Sequence, residues 1–573
     1  MNRRTLLGAL VLLAMLTPAA ARAQWPADST QFVRLTPGGD SYFTLYGACP
    51  DGLGGAFVCW SSKVSTPLGL LYLQRVDADG FPAFADGARI LGDDEDYRAL
   101  AADDAGHAVI LTSTFVADSG QVLWLSCYGA QGEERWRTRL WSGVTSSGWP
   151  TNHLRYVASA GAWVVTWNDG SASPARLRAQ AVGVDGMLRW GEEGRVAATQ
   201  TGEMSMGPAA DDGEGGVWLA FRSTPPDYVR YTTWLQHVDR TGTPRWNPGG
   251  LLLRADGSPV FSLASSPDGS AWLTLQRFSW WPGDASDPVQ RVLADGTFAF
   301  GPDGLPLPGN PAERRGSAVI ALVAPDRAWL LWTRRSEDGL GWVTEAQRLD
   351  ADGAWLGTGP VLLGTQGIWT EYLGLRAYVN PGGGVSVTIS PNADRSAPVQ
   401  RLDADGVPLW PAGTTLLQLP PGMVTWGGET LPDGTGGLIT VQTIMGSGLD
   451  GNDAPPFVCL QHVDAWGRHG DLPSLAVDAT LPEDFALATP APSPMLASTS
   501  VRFRLATAGD AALELFDVGG RRVRTLAHDR FEAGGHAVTL TRDGDGARLT
   551  PGLYWLRLTA PGGTRTTRLV VLD

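Results

Sequence analysis

The chain is nearly without lysine. Lys63 is the only one, and arginine supplies the rest of 44 basic residues that face 59 acidic ones. A surface with that balance repels phosphate, which argues against a nucleic-acid partner. The preference for arginine reads as the codon usage of a GC-rich bacterial genome, not as a physical requirement. Cysteine is scarce: Cys49, Cys59, Cys127 and Cys459 are all there is, and no CxxC pair or His/Cys group has metal-site spacing. The seven histidines, at positions 107, 153, 237, 462, 469, 528 and 536, make no HExxH motif and no Ser-His-Asp signature. Beyond the N-terminal leader no run is apolar enough to cross a bilayer, so no transmembrane span is expected.

What is present begins with an address. Asn2-Arg3-Arg4 is a basic end, Leu6 to Leu16 is an apolar run, and Ala21-Arg22-Ala23 has the small-x-small cleavage pattern. Residues 1–23 therefore read as a secretory signal peptide, and the mature chain starts at Gln24. A membrane anchor is the rival reading, but the run is short for a span. Cleavage removes Arg3, Arg4 and Arg22 and takes the formal charge from −15 to −18. Export permits disulfides. Cys49 and Cys59 flank the turn Pro50 to Gly55, and either bridge that hairpin or sit as two buried thiols. Cys127 and Cys459 lie far apart and read as small core residues.

The body of the chain is repetitive. Gln400-Arg401-Leu402-Asp403-Ala404-Asp405-Gly406 recurs letter for letter at Gln347 to Gly353. Variants stand at Gln74, Gln236, Gln290 and Gln461, and weaker ones at Ser126 and Gln180. The eight terminal glycines, Gly80 to Gly467, give a mean period of about 55 residues. Half a period before each copy comes a Gly/Asp turn and then an apolar strand, as in Asp51 to Gly55 before Ala56 to Trp60. The two signatures alternate strictly, so each unit reads as four short strands. The second strand is near-continuously apolar, as expected of one buried on both faces. The fourth opens with an aromatic: Phe84, Trp136, Trp190, Trp246, Phe300 and Trp410, with Trp355 shifted. Gly 73 and Pro 40 are high, but they lie between apolar runs, the pattern of many turns rather than of disorder.

Eight four-stranded units resemble a β-propeller, because blades stacked around an axis bury faces that no single blade can cover. An open solenoid has shorter rungs. Seven blades plus one divergent unit is the alternative count, and Phe32-Val33-Arg34-Leu35 is placed to pair with the last unit. The Asp-x-x-Gly-x-x-x-Trp turn is similar to the tryptophan-docking motif of eight-bladed quinoprotein dehydrogenases. His237 to Trp246 is the best copy, one residue shorter between Asp and Gly. Those enzymes' adjacent-cysteine pair is absent, so the motif is read as packing between blades and not as a cofactor site.

Past Pro490-Ala491-Pro492-Ser493-Pro494 the period stops. Alternating strands at Val501 to Leu505, Ala512 to Val518, Gly534 to Leu540, Pro551 to Leu558 and Arg565 to Leu572 suggest a small sandwich. Three motifs mark it: the run Leu513 to Leu526, Ala533-Gly534-Gly535-His536, and Pro551-Gly552-Leu553-Tyr554. With these motifs residues 488–573 resemble the C-terminal sorting domain of type IX secretion substrates, and equally the immunoglobulin-like domain of the flagellar hook-capping protein. The resemblance implies a partner in the secretion machinery. The usual Asn-Pro opening is Ser493-Pro494 here, and Arg568 stands where a lysine is usual. The expected organisation is thus all-β: a propeller of eight or seven blades over 24–480, a proline-rich linker over 481–497 and an immunoglobulin-like sandwich over 498–573.

Chemistry is thinly marked. The Asp-Ala-Asp-Gly turns lack the further acids that a calcium loop needs. Asp93, Asp94 and Asp96, around Glu95, are the best calcium candidates, against the reading of a solvated acidic loop. Ser266 to Trp272 resembles the Asp-box of sialidase propellers, itself a structural element. His237 and His462 fill the repeat position of Arg75, Arg348 and Arg401 and read as scaffold. Trp280 and Trp281 lie off the repeat, and would stack on a sugar or a partner or fold back on their own blade. No cofactor is indicated, and no catalytic set is complete. The expectation is a secreted or outer-membrane-associated binding module for an unknown surface glycan or protein. The alternatives are a hydrolase or lyase of polysaccharide or peptide, with acids in the central funnel, and a structural surface-layer component.

Overall fold

The structure is a computed structural model. It describes residues 25–571 except 37–41, 63–69, 85–87, 93–94, 117–119, 144–152, 172–173, 225–230, 277–287, 310–314, 337–340, 367–374, 390–395, 413, 448–453, 471–485, 488–489, 491–494, 496–497, 506, 518–520, 532–533, 544–547 and 562. Residues 1–23, read as a signal peptide, lie outside the described residues. Two compact units are present, residues 1–472 and 473–573.

The first unit is an eight-bladed β-propeller. Each blade is a four-stranded antiparallel sheet in sequence order; blade 1 runs Phe43–Pro50, Ala56–Ser62, Leu70–Val76, Arg89–Gly92. The first strands are Phe43–Pro50, Asp96–Ala102, His153–Val157, Glu203–Asp211, Val260–Ser265, Arg315–Ala324, Arg376–Val379 and Met423–Pro432. First strands of neighbouring blades touch, so they line the axis. The second strands are the apolar ones and sit between blades; Ala56–Ser62 and Ala162–Asp169 are buried at every position. Eight is the count, not seven, and the ring closes through the N-terminus. Blade 8 takes its first three strands from Met423–Pro432, Leu438–Gly446 and Phe457–Val463, and its fourth from Val33–Arg34. Val33 pairs with Leu460 and Arg34 with Cys459.

The repeat signature divides into three devices. The glutamine is a buried latch: Gln400 Oε1 accepts the amides of Arg401 and Trp410 at 2.8 and 3.0 Å, joining the third strand to the fourth. Gln74, Gln236 and Gln290 do the same. The aspartate closes the turn: Asp403 Oδ1 accepts the amides of Asp405 and Val407 at 2.8 and 2.9 Å. The glycine receives the aromatic of the preceding blade. A Cβ on Gly467 would lie 2.8 Å from the Trp410 ring, and one on Gly186 would lie 2.8 Å from Trp136. Phe84 meets Gly132, Trp190 meets Gly242, Trp246 meets Gly296 and Phe300 meets Gly353 in the same way. Trp355 is out of place, and Trp329 fills its role against Gly406. The eighth contact, on Gly80, is made by Trp25, which is 3 % exposed and donates from Nε1 to Ala78 O at 2.8 Å. Gln461 latches onto this N-terminal segment through Asp28 O and Gln31 O.

The disulfide considered for Cys49 and Cys59 is not formed. All four cysteines are free, buried thiols. Antiparallel register sets Cys49 opposite Phe57 and Cys59 opposite Gly47, so the two sulfurs belong to different rungs. Burial raises both thiol pKa values, which disfavours the reactive thiolate.

The second unit is a small sandwich of a three-stranded sheet, Ala486–Leu487, Ser498–Leu505 and Gly534–Thr541, and a four-stranded one. The latter orders Arg522–Phe531, Gly509–Asp517, Gly552–Ala560 and Gly563–Val571. The sandwich begins earlier than the composition suggests. Ala486–Leu487, within the span read as linker, pairs with Phe503–Arg504, and Met495 is buried in the sandwich core. A proline-rich run can still supply strand ends where its amides are not needed.

A substitution separates docking from backbone strain. Gly434 and Gly467 both lie at positive φ, +78° and +80°, but a Cβ meets nothing within 4 Å at Gly434 and meets Trp410 at Gly467. Gly434→Ala is expected to cost about 1 kcal/mol, and Gly467→Ala a further 1–3 kcal/mol or so for overpacking. Thermal melts of the two variants check the difference, and equal shifts would remove the docking contact from the account.

Candidate functional site

The axial strands are where the repeat breaks down. Six of them carry a β-bulge against the second strand. In four, one residue is left unpaired: Tyr46, Arg98, Phe261 and Trp426. A bulge re-aims side chains and is over-represented beside functional sites. Tyr46 is 43 % exposed and Trp426 68 %. They stand on adjacent axial strands, but not at one level: Tyr46 falls between the residues opposite Cys59 and Trp60, the fourth and fifth of their second strand, and Trp426 between those opposite Thr443 and Ile444, the sixth and seventh of theirs. The Leu45 amide donates across to Thr443 Oγ1 at 2.9 Å. Tyr46 in turn stacks on Tyr97 of blade 2, centroids 5.5 Å apart and planes 6° from parallel. Three aromatic rings thus run across blades 8, 1 and 2.

Nearer the first turn of each blade, polar groups converge. Arg376 is opposite Thr388, Glu429 opposite Val441 and Gly47 opposite Cys59, each the fourth residue of its blade's second strand. They are equivalent positions in blades 7, 8 and 1. At Gly47 the absent side chain leaves room for the Tyr97 hydroxyl, which fills it. Arginine, carboxylate and phenol therefore share a level. Burial raises the Glu429 pKa, and the Arg376 charge offsets only part of that. Among the described residues no hydrogen bond or ion pair is recorded for the Glu429 carboxyl. The Tyr97 hydroxyl is held well above the usual phenol range by burial, with the neighbouring Cys59, Cys49 and Glu429 adding to it. Tyr378 donates to Thr430 O and ties blade 7 to blade 8 beside the acid. Farther round the axis Arg98 donates to Ser113 Oγ at 2.9 Å and Arg155 to Ala209 O at 3.2 Å. The rung can stack flat apolar faces and offer both donors and acceptors below them.

The residues singled out from sequence fall differently. Asp93 and Asp94 lie outside the described residues, as do Trp280 and Trp281. Asp96 is 3.5 Å from Arg98, and the adjacent Glu95 accepts from Thr112 and Arg137, each at 2.5 Å. His237 and His462 are structural: each bonds through Nε2 to the Asp that closes its own blade's first turn, Asp212 at 2.8 Å and Asp433 at 3.0 Å. His237 also stacks on Trp218, centroids 4.2 Å apart. Asp268 of the Asp-box-like turn accepts from Ser270 and Arg291 and is likewise scaffold. Among the described residues no three His, Cys, Asp or Glu side chains gather as a metal site.

Tyr46, Tyr97, Arg376, Trp426 and Glu429 were not picked out from sequence. Their signal was faint: Trp426-Gly427-Gly428-Glu429 breaks the alternation expected of a first strand. No helix of the described residues is long and apolar enough to cross a membrane.

No family model and no curated protein sequence matches the chain. Solved structures do resemble it. The Chaetomium thermophilum protein Sqt1, bound to the N-terminus of a ribosomal protein, is 11 % identical over 76 % of this chain and 100 % of its own, TM-score 0.40. The β-propeller domain of the Trilobed protease from Pyrococcus furiosus is 7 % identical over 64 % and 97 %, TM-score 0.35. Pyrococcus horikoshii acylaminoacyl peptidase is 10 % identical over 72 %, TM-score 0.33, and this chain spans 59 % of its length. The likenesses are to propeller-like folds and carry no activity to this chain.

The Asp433–His462 pair gives a pH test. Burial pushes the Asp433 carboxyl up, but His462 and the amide and hydroxyl of Thr435 outweigh it, and the folded-state pKa is lowered. The resulting stability is present above the usual carboxylate pKa of about 3.9 and is lost as pH falls through the lower folded value. Asp433→Asn is expected to lose about 1–3 kcal/mol near neutral pH, with the gap to wild type narrowing below about pH 4. Urea midpoints across that range check it, and a gap independent of pH would assign the loss to packing.

Proposed function

We propose that this is an exported bacterial propeller protein that acts as a binding module outside the cell or at its surface, its sandwich serving as the sorting domain. The observation that carries the binding half is the axial arc of Trp426, Tyr46 and Tyr97 above the Arg376–Glu429 rung. Exposed aromatics beside a few convergent polar groups are the usual make-up of a ligand site. The leader at residues 1–23 and the three tail motifs support the sorting half. The residues of two of them fall in the sandwich: Leu513 to Leu526 spans parts of two paired strands, and Tyr554 is buried with its hydroxyl donating to Thr550 O at 2.8 Å.

Sorting is tested by fractionation. With the leader intact, the full chain is expected on the cell surface or in the medium, and a chain ending at Leu472 in the periplasm. Equal amounts of both outside the cell would refute the sorting role and leave a plain accessory sandwich.

Glu429 also serves a second reading, a secreted hydrolase. A general acid needs a raised pKa and an approach from solvent, and this carboxyl has the first. Release of reducing ends from polysaccharide, abolished by Glu429→Gln, would favour that reading over binding alone.

A further inference from the structure

We propose that the axial channel takes a carbohydrate chain, held by stacking on Trp426 and Tyr46 and read by Arg376, Glu429 and the Tyr97 hydroxyl. This rests on the binding-module reading and gives it a ligand class and an address.

The argument starts from an exception. The chain has 24 tryptophans, and those at the repeat positions are spent inside blades or on glycines. Trp426 does neither. Leaving most of so large a ring in water forgoes on the order of a few kcal/mol of burial. The two glycines that follow it, Gly427 and Gly428, are exposed too, and a Cβ on Gly427 would meet nothing within 4 Å. The ring therefore stands beside bare backbone at Gly427, while the Gln442 side-chain amide lies against Gly428. Tyr46 is on the next strand, between Trp426 and the polar rung, and is held by its stack on Tyr97.

The chemistry below the rings selects the ligand class. A sugar unit has an apolar face of C–H bonds, which packs on an aromatic ring, and a rim of hydroxyls, each both donor and acceptor. The rung supplies matching partners. Arg376 only donates; Glu429 accepts when ionised and also donates when protonated; a tyrosine hydroxyl does either. Burial makes the protonated form of Glu429 more accessible than for an ordinary carboxyl. A purely apolar peptide would leave these groups unpaired and desolvated, at a cost. Only two of the matched positions on this rung are charged: Gly47, Ala99, Leu154, Ser262 and Val319 occupy it in blades 1, 2, 3, 5 and 6. The polar reading is thus confined to one side of the axis, beneath the rings.

The test is affinity electrophoresis of the full mature chain through native gels cast with dextran, xylan, mannan or polygalacturonate. At least one polysaccharide is expected to retard it. Trp426→Ala and Tyr46→Ala should each weaken that retardation by about tenfold or more, as for central aromatic contacts. Glu429→Gln should weaken it less. Trp466→Ala, which removes a ring 69 % exposed on the outer turn Asp464 to Gly467, should leave it unchanged. Trp426 and Tyr46 are exposed, so their loss should leave the melting temperature near wild type. Retardation that survives both aromatic variants places the sugar elsewhere and overturns this inference while the binding module stands. Retardation by none of the four also overturns it. Labelled protein applied to whole bacterial cells then separates the two failures: binding there keeps the module reading, and its absence sinks that as well.

Discussion

A ring of eight weak sheets holds because each blade finishes its neighbour. The aromatic at the start of a fourth strand rests on a glycine in the next blade's turn, and that glycine is needed twice over. Its backbone is left-handed, which other residues enter at a cost, and the ring lies where a Cβ would be. A single blade buries neither face, so its stability is borrowed from the contact on either side. The period of about 55 residues follows from this. Each unit must carry one donor aromatic and one receiving glycine, at a fixed distance along the chain, or the ring has a gap. The gap that an open chain would leave is closed by Trp25 and Val33–Arg34, which supply blade 8 with its outer strand and blade 1 with its docking ring.

The polar residues of the repeat are committed to the same task. Gln400 and its equivalents satisfy the amides where the chain turns from third to fourth strand, which a buried sheet edge could not otherwise do. Asp433 and Asp212 use one oxygen on turn amides and the other on a histidine. Arg75 plays the histidine's part for Asp51 at 2.8 Å. Acids and histidines that look reactive in a linear reading are thereby spent. The Glu429 carboxyl lies where these devices do not reach, on an axial strand.

That division explains what could be read from the sequence. The blades could, because their instructions are local and copied: a turn aspartate needs its amides two and four residues on, and a latch glutamine needs its partner about ten on. The N-terminal strand was legible as an apolar run left over from the count. The cysteine pair was left open between a bridge and two thiols, because flanking a turn does not by itself put two residues on one rung; the hairpin turn, with Pro50 opposite Ala56, sets Cys49 against Phe57. The axial cluster was out of reach for a different reason. Tyr97, Arg376 and Glu429 belong to blades 2, 7 and 8 and occur once each, so no periodicity announces them. Only ring closure brings blades 8 and 1 side by side. Asp93, Asp94, Trp280 and Trp281 were chosen for density of charge or aromatic character in a loop, which says nothing about convergence.

The separation of scaffold from axis also bears on how such a protein acquires a ligand. Changing a docking glycine damages two blades at once, and changing a latch glutamine unpins the third strand of a blade from its fourth. Changing the axial rung does not: it already holds glycine, alanine, leucine, serine, valine, arginine and glutamate in different blades without disturbing the second strands behind it. The bulges add a second freedom, since an unpaired residue such as Phe261 or Trp426 takes no rung of the ladder and can vary in size. Chemistry on the axis is therefore free to drift blade by blade while the ring stays shut. On the matched rung the two charged residues, Arg376 and Glu429, fall in adjacent blades 7 and 8, and the scaffold alone gives no reason for that placement.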